Sequence, residues 1–559
     1  MLREIKPATS PAFFRSRQAG FFVGLICGIA LLMATGCSKV TTYSGTAARP
    51  NRGTVHGIVR LAIIQEPNTL NPVISGLIQE GYMEGAIFNG LVKLDDRGNV
   101  LPDLATQVPS LANGGISPDA KTITYHLRHG VTWQDGAPFT SDDVVFTYRL
   151  YIDPKVNSFY ASYYKHITSI TTPDRYTVVL HLNAPYAPAV IQLFERGTGG
   201  FVVPKHLLEK SADINTDPFG KHPVGTGPFL LDRWDHGSLM VLKPNLHYFA
   251  GAPKLREIDV HIVVNPNTQM AMVASHELDV ARQLTPAQYS QIQSIAGIHA
   301  MLEPTLLERF LTFNLKREPF NDPQLRRALV LALDRERIVR TAYLGTATLA
   351  QTLIPPTSWA YDPTGAPMYD VALAKSMLDQ DGWIVGPDGV RVKNGRTLSF
   401  AMLNQTEQNT LSAMAQEIQR AWRDVGVAVD IKTVPRNVMY GPQGVANNGK
   451  FDTIVDDWGA DPDPDRSILT ITANFSPHGW NDAFYSNSDV DRWSVQAIST
   501  FDMPTRKRLY SLIQRQMNRD LPYVPLAWDP IIYAVNTELR GFLPEPVYTD
   551  FWNVETWQI

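Results

Sequence analysis

Thr410 to Val434 reads TLSAMAQEIQRAWRDVGVAVDIKTV, and its two halves follow different periods. Leu411, Met414, Ile418 and Trp422 recur at helical spacing, Gly426 ends that pattern, and Val427, Val429 and Ile431 then alternate as strand residues do. A helix that feeds a half-buried strand is the working unit of a layered α/β lobe. Upstream the same order recurs, with a helix expected over Asp370 to Asp381, a stop at Gly382, and the alternating Leu398, Phe400 and Met402. Asp322 followed by Pro323 starts an earlier helix, in which Leu325, Leu329, Ala332 and Val339 share one face as far as Gly345. The stretch from about 310 to 524 therefore reads as one α/β lobe.

Toward the N-terminus the pattern is also mixed. Ile123, Tyr125 and Leu127 alternate with Thr124, His126 and Arg128, and Thr140 with Asp143 three residues later announces a helix start. With 559 residues, 44% apolar and 19% charged, the chain has room for three or four domains or lobes and no fixed-period repeat. Its 54 acidic and 50 basic side chains give a net charge of −4, without the basic field that holds nucleic acid. The two cysteines, Cys27 and Cys37, both lie near the start, so the body can hold neither a disulfide framework nor a cysteine nucleophile. A GxSxG elbow, an HExxH helix and a P-loop are all missing, and Gly225-Thr226-Gly227-Pro228 lacks the third glycine of a dinucleotide loop. These points favour a protein that is not an enzyme, with no cofactor and no metal site.

Arg3, Lys6, Arg15 and Arg17 precede an apolar or small-residue run from Ala19 to Met33, the layout of a secretion signal too short to span a bilayer. Ala34-Thr35-Gly36-Cys37 follows, and small residues directly before a cysteine resemble the lipobox of bacterial lipoproteins. That resemblance implies removal of residues 1–36 and lipidation of Cys37; a conventional signal with an incidental cysteine is the alternative. Residues 37–54, polar and without apolar period, read as a flexible tether.

Several short motifs occur in a fixed order: Ile87-Phe88-Asn89-Gly90-Leu91, Leu101-Pro102-Asp103-Leu104-Ala105, Val131-Thr132-Trp133-Gln134-Asp135-Gly136, Pro223 to Phe229, Glu277-Leu278-Asp279, Phe313-Asn314 and Leu325-Arg326-Arg327-Ala328-Leu329. Together they resemble the bacterial extracellular solute-binding family that serves peptide, dipeptide and nickel ABC importers (solute-binding family 5). The resemblance runs from about residue 58 to the end. It implies an α/β fold, a two-lobed periplasmic-binding-protein-like clamp with a hinge and an extra peripheral domain in the first lobe. The boundaries it suggests are 55–306 for the first lobe, 307–524 for the second and 525–559 for a C-terminal return to the first. Leu302 to Asn314 and Tyr523 to Asn536 are the strand-like runs placed to cross between lobes. The implied partners are a short peptide or other small solute and an ABC permease with its ATPase subunits. The implied state is a monomer, exported and held at the cell envelope, in the periplasm or on the outer face of the plasma membrane, by a lipid anchor.

Trp458-Gly459-Ala460-Asp461-Pro462-Asp463-Pro464-Asp465 resembles the family segment in which an aspartate three residues after a tryptophan takes the ligand's α-ammonium. Asp461 then is the anchor and Trp458 a wall, with Asp463 able to take the role instead because the segment is one residue short. Without a ligand, the three acids would simply alternate with proline in an exposed turn. Glu66, in Glu66-Pro67-Asn68, matches a family segment that borders the cleft, and Arg436 follows a strand whose end can face it. The ligand is expected to be a short peptide; a metal chelate or oligosaccharide is the alternative within the family, and a secreted hydrolase using paired acids is the alternative outside it.

Overall fold

Ile298–Phe313 and Tyr523–Asn536 are strands of 16 and 14 residues, well over the usual five or six. They pair antiparallel from Ile298 opposite Asn536 to Thr312 opposite Tyr523. In the computed structural model, which describes residues 53–559 except 198–199, 366, 407, 442 and 546–549, this pair lies at the centre of an 11-stranded mixed sheet. Cys27, Cys37, the expected signal over 1–36 and nearly all of the tether lie outside the described residues.

Numbering only the strands of this sheet, β1 is Ile58–Ile63, β2 Phe229–Asp235, β3 Leu239–Pro244, β4 Glu257–Ile262, β5 Val280–Ala281 and β6 Ile298–Phe313. Then come β7 Thr348–Leu349, β8 Ser399–Gln405, β9 Ala428–Val434, β10 Thr453–Gly459 and β11 Tyr523–Asn536. The order is β9-β8-β10-β6-β11-β5-β1-β4-β3-β2, with β7 beside β11. Strands from the N-terminal part lie on one flank of the long pair and strands from the C-terminal part on the other. The result is a two-lobed α/β protein whose lobes share β6 and β11, the two runs placed for crossing.

Near its middle the pair loses register, so that Thr305, Leu306 and Leu307 face Asp529 alone. Side chains hold this bulge in shape. The Thr305 hydroxyl donates to the Asp529 carbonyl at 2.7 Å, and Arg309 donates through Nε to the Asp529 carboxylate at 3.0 Å and through Nη1 to Asp457 at 2.6 Å. Tyr343 also donates to Asp529.

In the first lobe the ordered motifs meet each other. Asn89 donates to Asp103 at 2.9 Å and accepts from the Thr226 hydroxyl at 3.0 Å, while Gln134 donates to the Phe229 carbonyl at 2.7 Å and accepts from the Gly225 amide at 3.0 Å. A Cβ on Gly225 would collide with the Ile87 carbonyl, so glycine there serves close packing, as expected of a structural turn. Asp279 accepts from Arg60 and from Asn536, tying β1 and β11 to the segment before β5. A separate three-stranded sheet, with Thr177–Leu182 between Thr122–His126 and Ile167–Asp174, packs with helix Ser141–Ile152, which Thr140 and Asp143 cap reciprocally.

The second lobe follows the helix-to-strand reading. Leu411, Met414, Ile418 and Trp422 of helix Asn409–Arg423 are fully buried, and Gly426, at φ +84°, turns the chain into β9. One expectation needs correction. The helix begun by Asp322 and Pro323 does not run to Gly345 but stops at Leu331, and a second begins at Arg335, because the Asp334 carboxylate accepts from the Arg337 amide and starts a new turn.

Replacing Arg309 by Met should strand the Asp457 and Asp529 carboxylates beneath the bulge and lower stability by about 3 to 5 kcal/mol. Equilibrium denaturation of the two proteins measures this directly; a loss under 1 kcal/mol would mean that the bulge does not depend on the arginine.

Candidate functional site

The loop that leaves β10 starts where Ala460 donates its amide to the Leu306 carbonyl of the bulge at 2.8 Å. Its acidic residues therefore emerge beside the crossing strands. They are not an exposed turn: Asp461 and Asp465 are partly buried and Asp463 is 3% exposed. Local chemistry gives each a different set of partners. Both oxygens of Asp463 accept from Arg506 Nη2, at 2.9 and 2.7 Å, and one also accepts from Tyr510 at 3.3 Å. Asp465 accepts from the amide and the hydroxyl of Ser467, each at 2.9 Å, and burial pushes its carboxyl up to about 6. Asp461 instead meets the first lobe, accepting from Tyr163 at 3.4 Å and from Gln192 Nε2 at 3.2 Å. Burial raises the Asp461 carboxyl above the usual range, against the opposing field of Arg466.

Trp458, on β10, faces Glu308 of β6, which in turn faces Trp528 of β11. The Trp458 ring lies 5.3 Å from that of Trp480, and the two line a narrow recess with Arg436, Tyr440, Asp456 and Asp457. Arg436 is therefore near Trp458, but its guanidinium already donates to Gln405 at 3.2 Å and to Asp457 at 3.3 Å. Glu66 lies on the other flank of the sheet. It accepts from Trp234 and His236 at 2.9 Å and from the Gly237 amide at 3.1 Å, which ties it to the β2–β3 turn. Burial pushes its carboxyl up, but those donors outweigh it and hold the group below its ordinary value.

Sequence reasoning missed Tyr163, Gln192 and Tyr186, whose hydroxyl donates to Gln192. It also missed Arg506 and Trp480. No local signal marks them, because each acts through a fold contact distant in sequence. Among the described residues no group of three or more histidines, cysteines, aspartates or glutamates is placed to hold a metal ion, and no helix is long and apolar enough to cross a membrane.

Residues 99–477 match the bacterial extracellular solute-binding proteins, family 5, over the middle region that defines them. The chain belongs to this family. Among relatives, the oligopeptide-binding protein AppA of Bacillus subtilis is 26% identical over 553 residues, 97% of this chain and 99% of its own. The glutathione-binding protein GsiB of Escherichia coli K12 is 27% identical over 490 residues, 85% of this chain and 89% of its own. Among solved structures, AppA of Bacillus subtilis with a nonapeptide superposes at a TM-score of 0.71 and 25% identity, over 89% of this chain and 98% of that one. NikZ of Campylobacter jejuni with Ni(L-His) gives 0.72 and 25%, over 90% and 100%. Family 5 proteins are the solute-binding components of ABC importers for peptides or nickel chelates, found outside the cytoplasm.

The geometry separates two acids only two positions apart. Asp463→Asn should lower stability by about 3 kcal/mol by leaving the Arg506 guanidinium buried without its counter-ion, whereas Asp461→Asn should change it by less than about 1 kcal/mol. Thermal or denaturant unfolding of both variants provides the comparison; equal losses would contradict the separate roles.

Proposed function

We propose that this member of family 5 is a non-enzymatic receptor that captures a short peptide with a free amino terminus between its lobes and delivers it to an ABC permease. Asp461 anchors the ligand's ammonium and Trp458 forms a neighbouring wall. The observation that carries this reading is the unequal commitment of the three loop acids. Asp463 is neutralised by Arg506 and Asp465 caps Ser467, whereas Asp461 meets two uncharged donors from the opposite lobe. These neutral donors do not neutralise its charge, which only the field of Arg466 offsets, and an ionised carboxylate has about four acceptor positions, enough for an ammonium as well. The loop's charge points the same way, since Asp461, Asp463 and Asp465 stand against Arg466 and Arg506, one negative charge in excess. A ligand that touches both lobes favours the closed state through those contacts alone.

The names of AppA and GsiB support a peptide ligand. Arg436 borders the recess of Trp458 and Trp480, where a carboxylate of the ligand would meet a guanidinium. Glu66 holds the β2–β3 turn and shapes the first lobe from outside the ligand. The likeness to NikZ supports a second reading, a chelate that brings its own metal ligands. Native mass spectrometry of the protein from its own host distinguishes the two by the mass that accompanies it.

Asp461→Asn keeps the shape and an acceptor oxygen but removes the charge, so peptide affinity should fall by about 2 to 3 kcal/mol, roughly 30-fold to 150-fold. Acetylating the peptide's amino terminus should cost wild type a similar amount and the variant little more, because both changes delete one interaction. Titration calorimetry over this cycle tests the anchor, and equal wild-type affinity for free and acetylated peptides would refute it.

The envelope location rests on Cys37, which we assign to the lipid anchor. Cys37→Ala should move the protein from the membrane to the soluble fraction; continued sedimentation with membranes after a high-salt wash would place the anchor elsewhere.

A further inference from the structure

Glu308 lies in the layer where the lobes meet. Its cross-strand partners are Trp458 and Trp528, so the three side chains share one face of the sheet. On that face Leu306, Ala460, Ala350 and Trp528 of the crossing strands and second lobe pack in one apolar cluster with Leu94 of the first lobe, against which Val100 and Ile191 also rest. Glu308 is 0% exposed, and neither of its carboxyl oxygens has a hydrogen-bond donor among the described residues. The indole N–H of Trp528 likewise has no acceptor there. The nearest cation, Arg466, is 3.7 Å away, donates through Nε to the Leu353 carbonyl, and lies 5.7 Å over the Trp528 ring.

An ionised carboxylate in such a place has lost its water and gained no donor, which favours its neutral form. Burial accordingly pushes the Glu308 carboxyl up to about 8 despite the Arg466 guanidinium. On the same face of β10, Asp456 accepts from Gln405 and Tyr440 and burial pushes its carboxyl up to about 6, and on β6 burial pushes Glu303 up to about 7; the remaining charged groups on the elements around it point elsewhere. Arg309, Asp457 and Asp529 alternate to the opposite face and bind one another, Asp461 faces Tyr163 and Gln192, and Asp465 faces Ser467. Parting the lobes would uncover Leu306, Ala460 and Trp528 from Leu94 and Ile191, and would bring water to the carboxyl that shares their face.

We propose that Glu308 takes up a proton when the two lobes close, so that solute capture is coupled to proton binding and weakens as pH rises. The inference rests on the clamp reading above. The sign follows from the burial: the closed state holds the proton up to about pH 8, whereas a hydrated glutamate releases it near 4.3. Between those limits closure carries the uptake of up to one proton, and once Asp461 is ionised and while the peptide's ammonium stays charged, affinity falls about tenfold per pH unit.

The test is titration calorimetry of the full chain with a short peptide of free amino terminus, at pH 6 to 7, where the peptide's own ammonium stays charged, and in buffers of different ionisation enthalpy. Wild type should take up close to one proton at pH 7, while Glu308→Gln, or Glu308→Met should the first not fold, should take up far less and lose most of the fall in affinity between pH 6 and pH 7. Peptide binding by wild type without uptake, or an unchanged pH slope in the variant, would overturn the proposal. Unfolding without ligand separates this from failure of the peptide reading. Glu308→Gln should exceed wild type in stability at pH 8 and not at pH 5, because the wild-type carboxyl loses stability as pH rises above its unfolded value. If no peptide binds but this crossover is seen, the proton site stands and the peptide assignment falls; parallel stability profiles refute the proton site.

Discussion

Everything in this molecule that bears on function hangs from the antiparallel pairing of Ile298–Phe313 with Tyr523–Asn536. These strands belong to both lobes, so their backbone hydrogen bonds are the mechanical link across which any opening must occur. A continuous ladder would be stiff. The bulge at Thr305 to Leu307 breaks it, with a second shift of register between Arg309 and Phe310, and Asp529 with Arg309 fixes the shape of the first break. From that place the acidic loop departs, anchored at Leu306, and beside it Trp458, Glu308 and Trp528 stand in one row. The bulge and the acidic loop are therefore adjacent by construction.

The loop shows how environment assigns roles to residues of one type. Asp463 has a buried guanidinium and becomes part of the second lobe's framework; breaking such a pair costs more than the pair itself contributes, so it is a constraint on the fold more than a source of stability. Asp465 satisfies a helix start. Asp461 faces across the lobes to two neutral donors, with the field of Arg466 the opposing charge that reaches it. Glu308, without donors, is best accommodated neutral.

Much of the fold was legible because it is written locally. Leu411, Met414, Ile418 and Trp422 announce their helix by spacing alone, whereas Leu302 to Asn314 and Tyr523 to Asn536 were placed as crossing runs by the two-lobed architecture that the family resemblance implies, the first strand in fact starting at Ile298. The ordered motifs identified the family, and the structure explains them as packing: Asn89 binds Asp103 and Thr226, and Gln134 binds the Phe229 carbonyl and the Gly225 amide. They therefore report the fold and say little about the solute. The single break at Asp334 was not legible, because a continuous apolar face and a capping aspartate compete and only the tertiary setting decides. The choice between Asp461 and Asp463 was open for a stronger reason. It depends on Arg506, 43 residues along the chain from Asp463, and on Gln192 and Tyr163, which lie 269 and 298 residues from Asp461. No local pattern carries contacts of that range.

The account's central claim is that the clamp closes on a cationic amino group held by Asp461. A crystal structure of the protein with the solute that accompanies it from its own host tests this most directly. The account predicts a ligand nitrogen about 2.7 to 2.9 Å from the Asp461 carboxylate, with Tyr163 and Gln192 still in reach across the lobes. A solute bound between the lobes with no cationic nitrogen at Asp461 would contradict it.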